Sequence, residues 1–153
     1  MDLRRVLPRD LFAGEVVFIT GGGSGINLGI AASFAALGAD LAICGRSAER
    51  LEGAKRELEG LGARVAAEVA DVRDYDALAR ALETVRPTLG PVRHLVCGAA
   101  GNFPCPAEAL SAGGFKAVVD IDLLGSFNAS RAAFEQLKTT RGTILFISAG
   151  QAL

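Results

Sequence analysis

The stretch Thr20-Gly21-Gly22-Gly23-Ser24-Gly25-Ile26-Asn27-Leu28-Gly29 sets the fold. An uncharged, largely β-branched run, Val16-Val17-Phe18-Ile19, precedes it. An alanine-rich stretch follows, carrying Ile30, Phe34 and Leu37 on one helical stripe and stopping at Gly38. The order is strand, glycine turn, helix. Glycines at 21, 23 and 25 let the chain turn sharply, and they lack the Cβ atoms that keep a ligand away from the main chain. The helix aims its unpaired N–H groups into the same space, so donors and positive potential meet at one spot. A pyrophosphate is the anion that such a turn accommodates, with Gly21, Gly22, Gly23, Ser24, Gly25 and Ile26 around it.

Working outward, a second strand, Asp40-Leu41-Ala42-Ile43-Cys44, comes ~20 residues after the glycines, as a βαβ nucleotide-binding unit requires. Ser47 caps a helix with Leu51, Ala54, Leu58 and Leu61 at helical spacing, ended by Gly62. Residues 64–70 form a third strand. Asp74 caps the next helix, with stripe Leu78, Leu82 and Val85 and Pro87 as its stop. Residues 92–97 make a fourth strand, a glycine-alanine loop follows, and a long helix begins after Ser111 with Phe115, Val118, Asp122 and Ser126 along one side. Residues 142–147 are the fifth strand. This alternation predicts an α/β, Rossmann-like, doubly wound parallel sheet with helices on both faces, incomplete at its C-terminal side. Residues 1–14 read as an extended arm whose Leu11 and Phe12 pack on the domain edge, and 15–153 as the dinucleotide-binding domain.

The 153 residues, half of them apolar, are enough for one buried core. A net charge of −1 gives no electrostatic footprint for nucleic acid or an anionic membrane, which leaves small-molecule chemistry. No charge occurs from Val16 to Ala39, yet five glycines between 21 and 29 break any continuous spanning helix. Arg4-Arg5 precede only two apolar residues before Pro8, so no apolar signal segment follows them. Cys44, Cys97 and Cys105 are scattered and odd in number, and they read as reduced thiols of a cytoplasmic protein; a Cys97–Cys105 disulfide is the alternative. No metal site is expected.

In an open parallel sheet the ligand lies beyond the carboxyl ends of the strands. A carboxylate after the second strand would take the ribose 2′-hydroxyl; this chain has Gly45 and then Arg46, with Ser47 beside it, which selects NADP(H) over NAD(H). The competing reading of Arg46 is a solvated loop cation. His94 stands near the start of a strand, at the far end of the sheet from the ligand, and reads as structural.

The spacing Thr20-Gly21, three residues, Gly25-Ile26 resembles the short-chain dehydrogenase/reductase family, whose loop reads TGxxxGxG; Asn27 stands at the last glycine, and Gly29 follows two places on. Phe12-Ala13-Gly14, Asp71-Val72-Arg73-Asp74, Ala99-Ala100-Gly101-Asn102-Phe103, Phe115-Lys116 and Asp120-Ile121-Asp122 resemble the family's 2,4-dienoyl-CoA reductases, of the peroxisomal type and its bacterial relatives. The resemblance implies hydride transfer to a conjugated dienoyl thioester and an acyl-CoA substrate. It implies that Asp71 accepts from the adenine, with Val72, Ala99, Ala100 and Gly101 also on the cofactor, and that Asp122 is the catalytic acid. Asn102, Phe103 and Ser111 would then line the acyl-CoA cleft, and Arg73 would meet the acidic end of CoA. The competing readings are a turn residue for Asp71, a helix carboxylate tied to nearby backbone for Asp122, and a solvated side chain for Arg73. A homotetramer is implied by the same likeness. The family's Tyr-x-x-x-Lys helix, its last two strands and its substrate lid have no counterpart here, and the single tyrosine, Tyr75, is far from the strand ends that matter. Two further functions stay open: a 3-oxoacyl reductase, which needs that tyrosine, and a non-catalytic NADP-binding or oligomerising module.

Overall fold

The computed structural model describes residues 7–148. Five parallel strands lie in the order β3-β2-β1-β4-β5: β1 Val16–Thr20, β2 Asp40–Gly45, β3 Val65–Val69, β4 Val92–Cys97 and β5 Thr143–Phe146. Each pairing is in parallel register, with one irregularity between Val16 and Val17 where β1 meets β4. The helices are α1 Gly25–Ala36, α2 Ala48–Glu59, α3 Tyr75–Leu89, α4 Ala112–Val118 and α5 Gly125–Thr140.

Strand alternation divides the core in two. Val17, Ile19, Leu41, Ile43 and Val96 face the side covered by Ala31 and Ala35 of α1 and by Leu51, Ala54 and Leu58 of α2. Val16, Phe18, Ala42, Cys44 and Leu95 face Leu78, Leu82 and Val85 of α3 and Ala129, Ala133 and Leu137 of α5. Ser47 and Asp74 cap α2 and α3 as expected, accepting from Arg50 N at 3.3 Å and Ala77 N at 3.0 Å.

Several expectations are corrected. The stripe on α1 is centred on Ala31 and Ala35, whose small side chains let the helix approach the sheet; Ile30 and Phe34 flank it, half-buried, and only Leu37 of the expected three is buried. Leu61 stays exposed beyond the end of α2. Pro87 does not stop α3. It lies on the exposed side, where the carbonyl its ring leaves unpaired can turn to water, and the helix runs to Leu89 before Gly90 (φ 110°) ends it. The arm is not extended: residues 9–14 wind through turns closed by Leu11 N to Pro8 O and Ala13 N to Asp10 O, while residues 1–6 lie outside the described residues. Phe12 packs on the edge, edge-to-face with Phe34 at 4.8 Å, but Leu11 is exposed. The long helix carries a π segment, Val119–Leu124, between α4 and α5, so residues 115, 118, 122 and 126 do not keep one α-helical stripe. Covering of both faces also fails at β5, whose four residues are all exposed.

Candidate functional site

The chain passes from β1 through β2 to β3 on one side and then crosses to β4 and β5 on the other, so the loops leaving β1 and β4 part in opposite directions. Where they part, a crevice of about 1370 Å³ opens past the carboxyl ends of the strands. Its lining includes Gly21, Gly23, Ser24, Ile26, Arg46, Ser47, Asp71, Val72, Ala99, Ala100, Asn102 and Asp122, all expected from the sequence.

The glycine loop is shaped by close contact. Gly21 (φ 71°) and Gly25 (φ 60°) take the left-handed turns that the loop needs. A Cβ on Gly22 would lie 2.7 Å from Ile43 Cγ2, so this residue presses on β2 behind the crevice instead of lining it. Ser24 is the extended N-cap of α1, its hydroxyl makes no cap hydrogen bond, and the first turn holds no acid. The N–H groups of that turn are left for an anion.

On the β2 and β3 side, Gly45, Arg46, Ser47 and Arg50 form the rim, two cations with no carboxylate at the end of β2. Asp71 follows β3 and is gripped by Arg73: Nε lies 3.0 and 3.1 Å from its two oxygens, Nη2 donates to Oδ2 at 2.6 Å, and the Arg73 backbone N–H donates to Oδ1 at 3.0 Å. The guanidinium hydrogen bond holds the Asp71 carboxyl below its ordinary range, and Arg46 adds a weaker pull. Arg73 itself is spent on Asp71 and does not reach the lining. Asn128 of α5 anchors this loop by donating to Val72 O at 3.0 Å.

On the β4 side, the Thr20 hydroxyl accepts from Gly98 N at 3.0 Å and Ala99 N at 3.2 Å. Gly101 N donates to Asp122 Oδ1 at 2.7 Å, and a Cβ on Gly101 would lie 2.5 Å from Ile121 Cδ1. The π segment thus brings Asp122 to the crevice and ties one of its oxygens to the loop after β4. The second oxygen makes no hydrogen bond among the described residues, so the carboxylate is both anchored and available. Phe103, half-exposed, sits against Gly114, and Ser111 caps α4 by accepting from Gly114 N at 3.0 Å; neither lines the crevice.

Sequence reasoning missed Arg50, Ser126, Phe127 and Ser130 in the lining. Arg50 stands three residues after the cap Ser47, a spacing that returns it to the rim, and the serines are four apart on α5. The expected structural role of His94 is seen in its partners: Nδ1 meets Thr143 Oγ1 at 2.7 Å, Nε2 meets Glu15 Oε2 at 2.6 Å, and the ring packs on Phe12. All three cysteines are free.

Glycine cradle, uncapped helix start, cationic rim and polar wall fit a nicotinamide dinucleotide. The profile of the short chain dehydrogenases matches residues 15–153. The chain belongs to the short chain dehydrogenase family. This short chain dehydrogenase is 41% identical over 144 residues to a peroxisomal 2,4-dienoyl-CoA reductase of Saccharomyces cerevisiae, covering 92% of the chain and 49% of that protein. It is 39% identical over 127 residues to a 3-dehydrosphinganine reductase of Arabidopsis thaliana, covering 82% of the chain and 37% of that protein. Among solved structures, the citronellol catabolism dehydrogenase of Pseudomonas aeruginosa PAO1 superposes with a TM-score of 0.87 at 33% identity, over 95% of this chain and 60% of the other. The chain therefore spans about half the length of the curated relatives it matches. No helix among the described residues is long and apolar enough to cross a membrane. The yeast relative is named for the peroxisome, a compartment other than the cytoplasm expected from the sequence.

Proposed function

We propose that the chain is the dinucleotide-binding part of an NADPH-dependent reductase of 2,4-dienoyl-CoA thioesters. The observation that carries the reading is Asp122, placed at the crevice by the π segment and hydrogen-bonded to the same loop that holds Asn102. NADPH supplies the hydride when bound. The residues of this chain do the rest: the glycine loop and the first turn of α1 hold the pyrophosphate, Arg46 and Ser47 take the 2′-phosphate, and Asp71 accepts from the adenine. Hydride addition at the distal end of the conjugated system leaves negative charge on the thioester oxygen, which must be met by donors until a proton arrives at carbon. Asp122, held by Gly101 N–H and with its other oxygen free of hydrogen bonds among the described residues, is the group that relays a proton from solvent to that carbon. The likeness also supports a homotetramer, which sedimentation of the full-length protein tests.

The test is loss of NADPH absorbance with a 2,4-dienoyl-CoA, using the full-length protein. Activity with NADH alone, or with simple ketones alone, counts against the proposal. Asp122→Asn keeps an oxygen for Gly101 N–H but loses the acid, so turnover falls about 10²-fold or more while the fold persists. Equal turnover in that variant leaves Asp122 a purely structural role. A second reading, reduction of a 3-oxo group, is favoured by the Arabidopsis relative. It requires a tyrosine donor in the crevice, and Tyr75 at the start of α3 is not in the lining. NADPH binding without any turnover would instead favour a non-catalytic module.

A further inference from the structure

We propose that Asn27 is a positioning residue of the crevice: its carboxamide, supplied from the first turn of α1, fills the space that residue 98 leaves by being glycine, and so fixes the gap between the two loops that hold the ligand. The proposal rests on the dinucleotide reading above for its functional consequence.

The last glycine of the loop pattern ordinarily serves close approach of helix to strand. At that place this chain carries an amide, and across from it a residue with no side chain. A Cβ built on Gly98 would lie 2.2 Å from Asn27 Oδ1, 2.6 Å from Cγ and 2.8 Å from Nδ2, so the carboxamide occupies the volume where a side chain at 98 would begin. A Cβ on Gly21 would lie 3.0 Å from Asn27 Nδ2, which places the amide between two glycines, one from each wall. Nδ2 donates to Gly98 O at 2.7 Å, while Oδ1 is shielded from solvent and has no hydrogen-bond partner among the described residues.

The peptide groups of Gly98 are thereby held from both sides. Its N–H donates to the hydroxyl of Thr20, the last residue of β1, and its C=O accepts from Asn27, the third residue of α1. Both side chains flank the glycine loop, so the wall after β4 is referenced to the wall after β1 at a fixed spacing. The orphaned Oδ1 indicates what holds the amide in place. A buried acceptor without a partner is unfavourable, so shape and the single bond to Gly98 keep it there. Filling position 98 while Asn27 remains must push the walls apart, and emptying position 27 at the same time must let them return.

The experiment compares the full-length protein with Gly98→Ala, Asn27→Gly and the double variant Asn27→Gly/Gly98→Ala, by thermal melting and by calorimetric titration with NADPH at a temperature where each is folded. Gly98→Ala lowers the melting temperature by several degrees and weakens NADPH binding about tenfold, and the double variant recovers most of both losses. Should Gly98→Ala fail to fold, recovery of folding and binding in the double variant carries the same meaning, and its failure overturns the proposal. Additive melting shifts overturn the exchange of volume between the two positions. A folded Gly98→Ala that binds NADPH as tightly as the parent overturns the positioning role. A parent protein that shows the melting coupling but binds no NADPH overturns the dinucleotide reading and leaves the exchange standing.

Discussion

Strand β1 buries all five of its residues and β2 its central four, whereas β5 buries none of its four. The helices follow the same division. On the β2 side, α2 seats Leu51, Ala54 and Leu58 in the core; on the β5 side, α4 and the π segment bury nothing, and Phe115, Leu123 and Phe127 are exposed. The glycine loop proposed to hold the dinucleotide lies on the packed side, where loop positions are fixed by contacts such as Gly22 on Ile43. The group proposed for proton transfer, Asp122, stands on the open side and is held by one backbone hydrogen bond. The proposed cofactor contacts thus rest on packed parts, and the proposed chemistry on a π segment with no buried residue.

The widest gap between the two regions is expected in thiol reactivity. Burial pushes the Cys44 thiol in β2 up to about 12, which leaves roughly 10³-fold less thiolate than an ordinary cysteine at the same pH. Burial also raises Cys97, at the end of β4, while Cys105 is exposed on the loop beyond it. Under native conditions an alkylating reagent followed by mass spectrometry should modify Cys105 first and Cys44 only on unfolding. Early labelling of Cys44 would mean that the packed side opens readily. The same contrast can be drawn with one residue type. Phe18→Ala in β1 should cost about 3–5 kcal/mol, and Phe134→Ala on the exposed part of α5 below about 1 kcal/mol, both read from urea midpoints.

Glycines sharpen the comparison at smaller scale. Gly22→Ala forces a Cβ to within 2.7 Å of Ile43 Cγ2 and should cost about 1–3 kcal/mol, since β2 cannot retreat without disturbing the sheet. Gly113→Ala in α4 meets only Ser111 Oγ at 4.0 Å and should stabilise by about 0.5–1 kcal/mol through helix propensity. Equal effects in denaturant titrations would remove the distinction between the two sides.

The division also governed what could be read from residues alone. The glycine loop and the caps Ser47 and Asp74 act within a few residues of themselves, so their chemistry is visible in order along the chain. Pro87 failed as a helix stop because its tolerance depends on whether the carbonyl before it faces water, which is a tertiary property. The π segment was invisible for a related reason: one extra residue in a turn changes which side chains align, and only the contact of Asp122 with Gly101 reveals the shift. Asn27 is recognisable as a departure from the loop pattern, but Gly98 is 71 positions away, and their complementarity appears only when the two walls meet. Arg50, a charge on an exposed helix turn, looks like any solvated cation until the crevice beside it is seen.

The mildest effect is expected at the crevice rim. Arg73 holds the Asp71 carboxylate in its ionised form, so the native state binds a proton there less readily than the unfolded chain does. Above the ordinary aspartate value of about 3.9 both states are ionised and the pair's stabilisation is fully present. As the pH falls below that value the unfolded chain takes up its proton first, the stabilisation drains, and it is gone once the native carboxyl is protonated too. Both side chains are substantially solvated, so the contribution at neutral pH is small and shrinks with added salt. Asp71→Asn should therefore lower the urea midpoint slightly at pH 7, with the gap to the parent narrowing as the pH drops through 4 and below. A gap that held constant across that range would mean that packing of the side chain, and not its charge, fixes the turn after β3.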